Sequence, residues 1–353
     1  MMNWILRKSK QREDRAMLTM RNGETVLKEL IAASNGKYNP FRIFSAQELK
    51  IATNNYDENN YVNKYFVYKG FWNERPISVM NFQSHIKDYA YKFCINNIIY
   101  ASQMSHKHIL RLIGCCLETE IPILVFESVE DVSLVDLIHG PPPPHFEPLL
   151  LPNRLKIAMD IAHAVAYLHV GFPRPVIFRA IKPSHILFTE ENVAKLFDFS
   201  LSESIPEGQT HIKFDVVMGA IGYAAPEYVI KREMNEKSDV YSFGVLLLEL
   251  LTGKKVYDKA RAQNSSDEHL QYHWKKCDGD EHLVYHVKKY IENNRFIEIV
   301  DPIIIEDRSW PKKEKEQKLQ AFQKLIFQCV AELPEDRPTM VDVAKQLRQM
   351  YRT

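Results

Sequence analysis

The run Lys237-Ser238-Asp239-Val240-Tyr241-Ser242-Phe243-Gly244-Val245-Leu246-Leu247-Leu248-Glu249-Leu250-Leu251-Thr252-Gly253 restricts this chain more than any other stretch. It is apolar on nearly every side at helical spacing, so it predicts a helix buried all round, and Gly253 supplies its end. Such a helix needs a shell of other elements. A chain of 353 residues with 45% apolar side chains can supply that shell and still divide into two lobes. A net charge of +1 is too balanced to imply nucleic acid or an acidic membrane as the main partner, so binding surfaces must come from local patches. Five scattered cysteines do not make a disulfide framework and point to a reducing compartment; Cys115-Cys116, in a strand-like apolar run, read as buried thiols. No apolar run of about eighteen residues occurs, so no transmembrane helix is expected. Arg7, Lys8, Lys10 and Arg12 follow the short apolar start instead of preceding it, which argues against a signal peptide, and residue 2 is not the glycine that myristoylation needs.

Taken in order, residues 1 to about 35 carry Val26, Leu27, Leu30 and Ile31 at the spacing of one amphipathic helix ending near Asn35-Gly36, either an extension packed on the first lobe or a partner-binding helix. Ser45 with Glu48 forms a capping box that opens a second helix. Tyr61 to Phe71 reads as strand, turn and strand around Asn63-Lys64-Tyr65-Phe66-Val67-Tyr68-Lys69-Gly70, and Ile77-Ser78-Val79-Met80 as the next strand. A helix through Ile95, Asn96, Asn97, Ile98, Ile99 and Tyr100 leads to the turn His106-Lys107-His108, where no further ligand spacing supports zinc. Ile121 to Val129 is an apolar strand. Pro141 to Pro144 sits in an insert, read as a surface linker or as a ligand for an SH3-like groove. Leu155, Ile157, Ala158, Ile161, Ala162, Val165 and Leu168 mark a helix from Pro152 to His169. Lys254 to Glu281 and Lys312 to Lys318 are charged and read as solvated surface.

Four further runs carry the chemistry: Phe178-Arg179-Ala180-Ile181-Lys182-Pro183-Ser184-His185-Ile186-Leu187-Phe188, then Asp198-Phe199-Ser200, then Gly219-Ala220-Ile221-Gly222-Tyr223 with Ala225-Pro226-Glu227, and Asp336-Arg337-Pro338. Together with the opening helix they resemble the catalytic loop, metal-binding triplet, activation segment and closing motif of a protein kinase. The resemblance implies an α+β bilobal fold with a small, mainly β lobe at 44–129, a larger, mainly α lobe at 130–353, and residues 1–43 as an extension. It also implies which positions should do chemistry, and most are altered. The base position in H-R-D is Ala180, and a methyl group takes no proton. The magnesium-binding Asn position is His185, a poor ligand for a hard cation. The lysine that grips the phosphates is Met80, and the helix glutamate that would pair with it is Asn97. Loss of both avoids leaving one buried charge uncompensated. The three glycines that would close over phosphate are absent from the shortened loop Asn63, Lys64, Tyr65 and Phe66, with Lys64 a conceivable relocated lysine. The threonine that would touch the catalytic Asp is Ala220.

Lys182 and Asp198 keep their types. So do the structural residues that the pattern implies: Arg179, which can meet an activation-segment phosphate or bond locally; Asp239, which bonds the catalytic-loop backbone; and Glu227, which pairs with Arg337. Ser200, Ser202, Ser204 and Thr210 are hydroxyls of that segment. Loss of the base alone costs about 100- to 10,000-fold in rate, and losses that act on one transition state need not multiply. With the segment Phe44–Tyr56, the resemblance narrows to plant receptor-like cytoplasmic kinases and, by this set of losses, to their ZRK group of pseudokinases. It covers roughly residues 44 to 350. It implies an immune adaptor in the cytoplasm, brought to the plasma membrane through partners. Those implied partners are the leucine-rich repeats of a nucleotide-binding immune receptor and a second receptor-like cytoplasmic kinase modified by a bacterial effector. No cofactor or metal is expected, ATP with magnesium binding weakly at most. The alternative is a weak serine/threonine kinase.

Overall fold

The computed structural model describes residues 2–34, 42–57, 61–62, 67–81, 87–141, 146, 148–220, 222–256, 283–308 and 310–352. The substituted phosphate loop Asn63 to Phe66, the centre of the Pro run, Ile221 and most of the insert after Lys254 lie outside them. The chain divides into two compact units. The first is Met1–Asp131 with Phe188–Ser200, and the second is Val132–Leu187 with Leu201–Thr353.

In the first unit, α1 (Met2–Ser34) precedes β1 (Arg42–Ile43), α2 (Ala46–Ala52), β2 (Tyr61–Val62), β3 (Val67–Trp72), β4 (Arg75–Met80), α3 (Lys87–Ala101), β5 (Leu112–Cys116) and β6 (Ile123–Glu127). The strands form one sheet in the order β1-β5-β6-β4-β3-β2, antiparallel except for β1 beside β5. Alternation along β4 fixes what each face does. Ile77 and Val79 join Phe44, Leu49, Ile123 and Val125 in a core under α2. Ser78 and Met80 therefore point to the other face. The capping box of α2 is complete, with the Glu48 amide donating to Ser45 Oγ at 3.1 Å and the Ser45 amide to Glu48 Oε2 at 2.8 Å. The N-terminal helix packs on this unit through buried Asn22, whose Nδ2 donates to the carbonyls of Leu117 (2.9 Å) and Thr119 (3.1 Å). Val26 is buried beside it, but Leu27 is 59% exposed, so the apolar stripe expected from the sequence is narrower than its spacing suggests.

The unit also claims a segment that sequence order assigns to the second lobe. The amide of Leu110 donates to the carbonyl of Leu196, the amide of Leu196 to that of His108, and the amide of Glu130 to that of Phe188. These bonds, with the Lys195–Glu127 ion pair at 2.8 Å, group 188–200 with the sheet, so the division at 129/130 expected from chain order is not the one observed.

The second unit is mainly helical: α4 (Leu134–His139), α5 (Leu151–Val170), α6 (Pro226–Lys231), α7 (Glu236–Thr252), α8 (Leu283–Glu292), α9 (Phe296–Ile299), α10 (Pro302–Glu306), α11 (Lys312–Cys329) and α12 (Met340–Arg352). The helix α7 is the one announced by the sequence. Val240, Phe243, Val245, Leu246, Leu247, Leu248, Leu250 and Leu251 are all fully buried, and α5 and α11 pack on it. Asn235 caps its start by accepting from the Lys237 amide at 2.9 Å. Gly253 ends it at φ 65°, a conformation that costs a side-chain-bearing residue strain. Gly244 permits the approach of α11, since a Cβ there would lie 2.7 Å from the Cys329 Cβ. The run Lys312 to Lys318, expected to be solvated, departs from that expectation at its end. Lys318 is buried, donates to the Met350 carbonyl at 2.8 Å and lies over the Trp310 ring at 4.1 Å, because the fourth residue of each turn returns to the packed face. No helix among the described residues is long and apolar enough to cross a membrane.

Candidate functional site

Within the first unit Asn97 of α3 meets Asp198. Met80 is buried at the end of β4 and carries no charge. Asn97, expected at the place of the helix glutamate, is fully buried and bonded. Its Nδ2 donates to Asp198 Oδ1 at 3.1 Å, and its Oδ1 accepts from the Phe199 amide at 2.8 Å. The Ser200 amide donates to the same Asp198 oxygen at 3.1 Å. Asp198 adopts φ 72°, a left-handed conformation that Asp tolerates better than most residues. A second amide, unassigned from sequence, completes the clamp: Asn96 Nδ2 donates to the carbonyls of Phe199 (2.9 Å) and Ser200 (3.0 Å). Two adjacent asparagines inside a helix are poor helix formers, and that local conflict was the available signal that tertiary bonds hold them there.

The nearby thiols take no part in this chemistry. Burial pushes the Cys94 and Cys115 thiols far up, and that of Cys116 up to about 11, so all three stay protonated at neutral pH. His106 and His108 bond backbone: the His108 amide donates to His106 Nδ1 at 3.2 Å, and His108 Nδ1 lies 3.2 Å from the Ala194 carbonyl. Among the described residues no group of three or more His, Cys, Asp or Glu side chains is placed to hold a metal ion.

The second unit holds Ala180, Lys182 and His185, the run expected as a catalytic loop. Ala180 is buried, and His185 ends a short 3-10 turn with its ring edge-on to Phe178 at 6.4 Å. Lys182 precedes that turn and is half-buried. Asp239, fully buried, accepts from the amides of Phe178 (2.7 Å) and Arg179 (2.8 Å) and contacts His169 Nε2 at 3.0 Å. This anchors Arg179 at φ 68°. The Arg179 guanidinium lies 3.7 Å from the centre of the Phe214 ring and donates to the Tyr228 hydroxyl at 2.5 Å, so it is engaged within the activation segment. Tyr228 in turn accepts from the Met218 amide at 2.6 Å and donates to the Met218 carbonyl at 3.0 Å. Ala220 forms the turn that accepts the Tyr223 amide at 3.1 Å.

Behind these positions stands a saturated ion pair. Arg337 Nη1 and Nη2 each bond a Glu227 oxygen at 2.8 Å, and the remaining donors reach the carbonyls of Ala331, Glu332 and Lys237. Ser238 Oγ adds a bond to Glu227 at 2.8 Å. Arg154, to which the sequence assigned no role, is equally committed. It bonds Asp301 at 2.6 Å and the Leu250 carbonyl at 2.6 Å, tying α5 to the end of α7.

Comparison with known proteins agrees with this geometry. The protein kinase domain family model matches residues 75–349. From Arabidopsis thaliana, "Non-functional pseudokinase ZRK2" is 36% identical over 93% of this chain and 88% of its own length. "Serine/threonine-protein kinase ZRK1" is 36% identical over 98% and 94%, and "Non-functional pseudokinase ZED1" is 36% identical over 96% and 98%.

Proposed function

We infer that this chain, which belongs to the protein kinase family and within it to the ZRK group, is a non-catalytic binding module that keeps the kinase frame without the groups that transfer phosphate. The observation that carries this reading is Asp198. Its Oδ1 is taken by the Asn97 side chain and the Ser200 amide, at the place where magnesium would need carboxylate oxygens. The position of the phosphate-gripping lysine holds buried, uncharged Met80. Uncharged Met80 and the amide-bonded Oδ1 of Asp198 are a poor match for a magnesium-bound nucleotide. Ala180 and His185 extend the mismatch to the second unit, where a methyl group and an imidazole stand for a base and a metal ligand.

The partner assignment rests on family resemblance. We propose an adaptor that links the leucine-rich repeats of a nucleotide-binding immune receptor to a second, effector-modified receptor-like cytoplasmic kinase. Co-purification with the isolated repeats is the expected result, and a failure to associate at micromolar concentrations would remove the assignment. Radiolabelled phosphate transfer tests the catalytic half: the purified chain is expected to show none. A second reading, weak serine/threonine kinase activity, is favoured by the retained Lys182 and Asp198 and by the name of one relative. Transfer that Asp198→Ala abolishes would establish it and overturn the first.

A further inference from the structure

The first unit carries a groove of about 690 Å³ that the altered kinase positions do not use. It is lined by the end of β3 and the start of β4, the segment after α3, the start of β5, and Glu127 with Lys195. Its size falls in the range of about 300–1,000 Å³ usual for ligand sites.

Its charge is one-sided. Glu127 is answered inside the groove, by Lys195 at 2.8 Å and by the Arg111 amide at 3.1 Å. Arg75, Lys107 and Arg111 also line it, all exposed, and among the described residues no ion pair joins any of the three to a carboxylate. Between them lie exposed Pro76 and the solvent-reached parts of Trp72 and Ile113, whose other surfaces pack on the core under α2, with Arg42 4.6 Å over the Trp72 ring. A chain whose net charge is only +1 has little overall field to draw in a polyanion, so this cluster is a local feature.

We propose that this groove binds an acidic peptide segment of a protein partner, with carboxylates on Arg75, Lys107 and Arg111 and an aliphatic side chain on Trp72, Pro76 and Ile113. Guanidinium groups match carboxylates in a two-point geometry, which favours Asp or Glu side chains over a diffuse polyanion. The apolar surfaces add a requirement that a bare anion cannot meet. The site lies apart from Met80, Asn97 and Asp198, so the proposal stands whether or not the chain transfers phosphate.

Fluorescence anisotropy on the full chain tests it, with a labelled short peptide of alternating Glu and Leu as the probe. The expected result is saturable binding that weakens between about 50 and 300 mM salt as the exposed charges are screened. The triple variant Arg75→Ser, Lys107→Ser, Arg111→Ser should lose at least about tenfold in affinity, equivalent to about 1.4 kcal/mol. All three residues are exposed, so its thermal midpoint should match the parent's. A control triple at exposed Lys231, Lys254 and Lys313 should leave binding within about twofold. Equal binding of the Gln-and-Leu counterpart, an unchanged affinity in the first triple, or tighter binding of inorganic phosphate or an oligonucleotide than of the peptide would each overturn the proposal.

Discussion

The surroundings of Arg337 and those of Asp198 answer the same problem in opposite ways. Arg337 is fully buried, and its charge meets a carboxylate in two parallel bonds, with the other donors on carbonyls. Asp198 meets a side-chain amide and a backbone N–H instead. A charge matched by an opposite charge fixes geometry and supports a frame. A carboxylate oxygen matched by amides is held in place by dipoles. The ion pair that supports the kinase-like shape and the residues expected to carry kinase chemistry are therefore separate in this chain.

Damage to the frame should cost most. Arg337→Met leaves Glu227 without its partner and should cost about 3–5 kcal/mol in urea unfolding. The double variant Arg337→Met, Glu227→Leu should recover part of that loss; a double no more stable than the single would mean that the pair is not what holds α6 near the start of α7. Next comes Asp239→Asn. An amide oxygen cannot serve as the charged acceptor for two backbone N–H groups and His169, so about 2–3 kcal/mol should be lost. Faster hydrogen exchange at the Phe178 and Arg179 amides would locate that loss.

On the other side of the contrast, Asn97→Ala removes both bonds to the Asp198 triplet. About 1–3 kcal/mol is expected for the groups left unmatched, together with faster exchange at the Phe199 amide and no gain of phosphate transfer. Transfer appearing in this variant and absent from the parent would overturn the reading that residue types such as Ala180 and Met80 prevent transfer.

The smallest effect is at Glu48. The Ser45 amide bond, followed by the Arg42 and Ser45 side chains, lowers its pKa in the folded state. Its stabilisation is therefore present above the unfolded carboxylate pKa and lost as pH falls through the folded value. The group is largely solvated, so Glu48→Gln should cost under about 1 kcal/mol and flatten the acid limb of a stability–pH curve only slightly. An unchanged acid limb would count against the cap as a source of pH dependence.

Much of the frame was legible in the residues themselves. The all-round apolar run predicted α7, Ser45 with Glu48 predicted the start of α2, and the motif pattern paired Glu227 with Arg337. The first two are local signals, complete within a few turns of chain, because helical periodicity and capping need no distant partner. The chemistry of Met80, Ala180 and His185 was readable for a similar reason: a side chain without a given functional group lacks it in any fold.

Only the tertiary structure decided what the replacements do. Asn97 and Asp198 are 101 residues apart in sequence, Asn96 and Phe199 103, and Arg154 and Asp301 147, and no local pattern encodes which of many polar groups will meet once the chain is packed. The same holds for the joining of 188–200 to the sheet and for the burial of Lys318, whose charge alone predicted solvent. Composition and periodicity determine which elements form and which face is buried; the partners of a buried polar group depend on distances that exist only after folding.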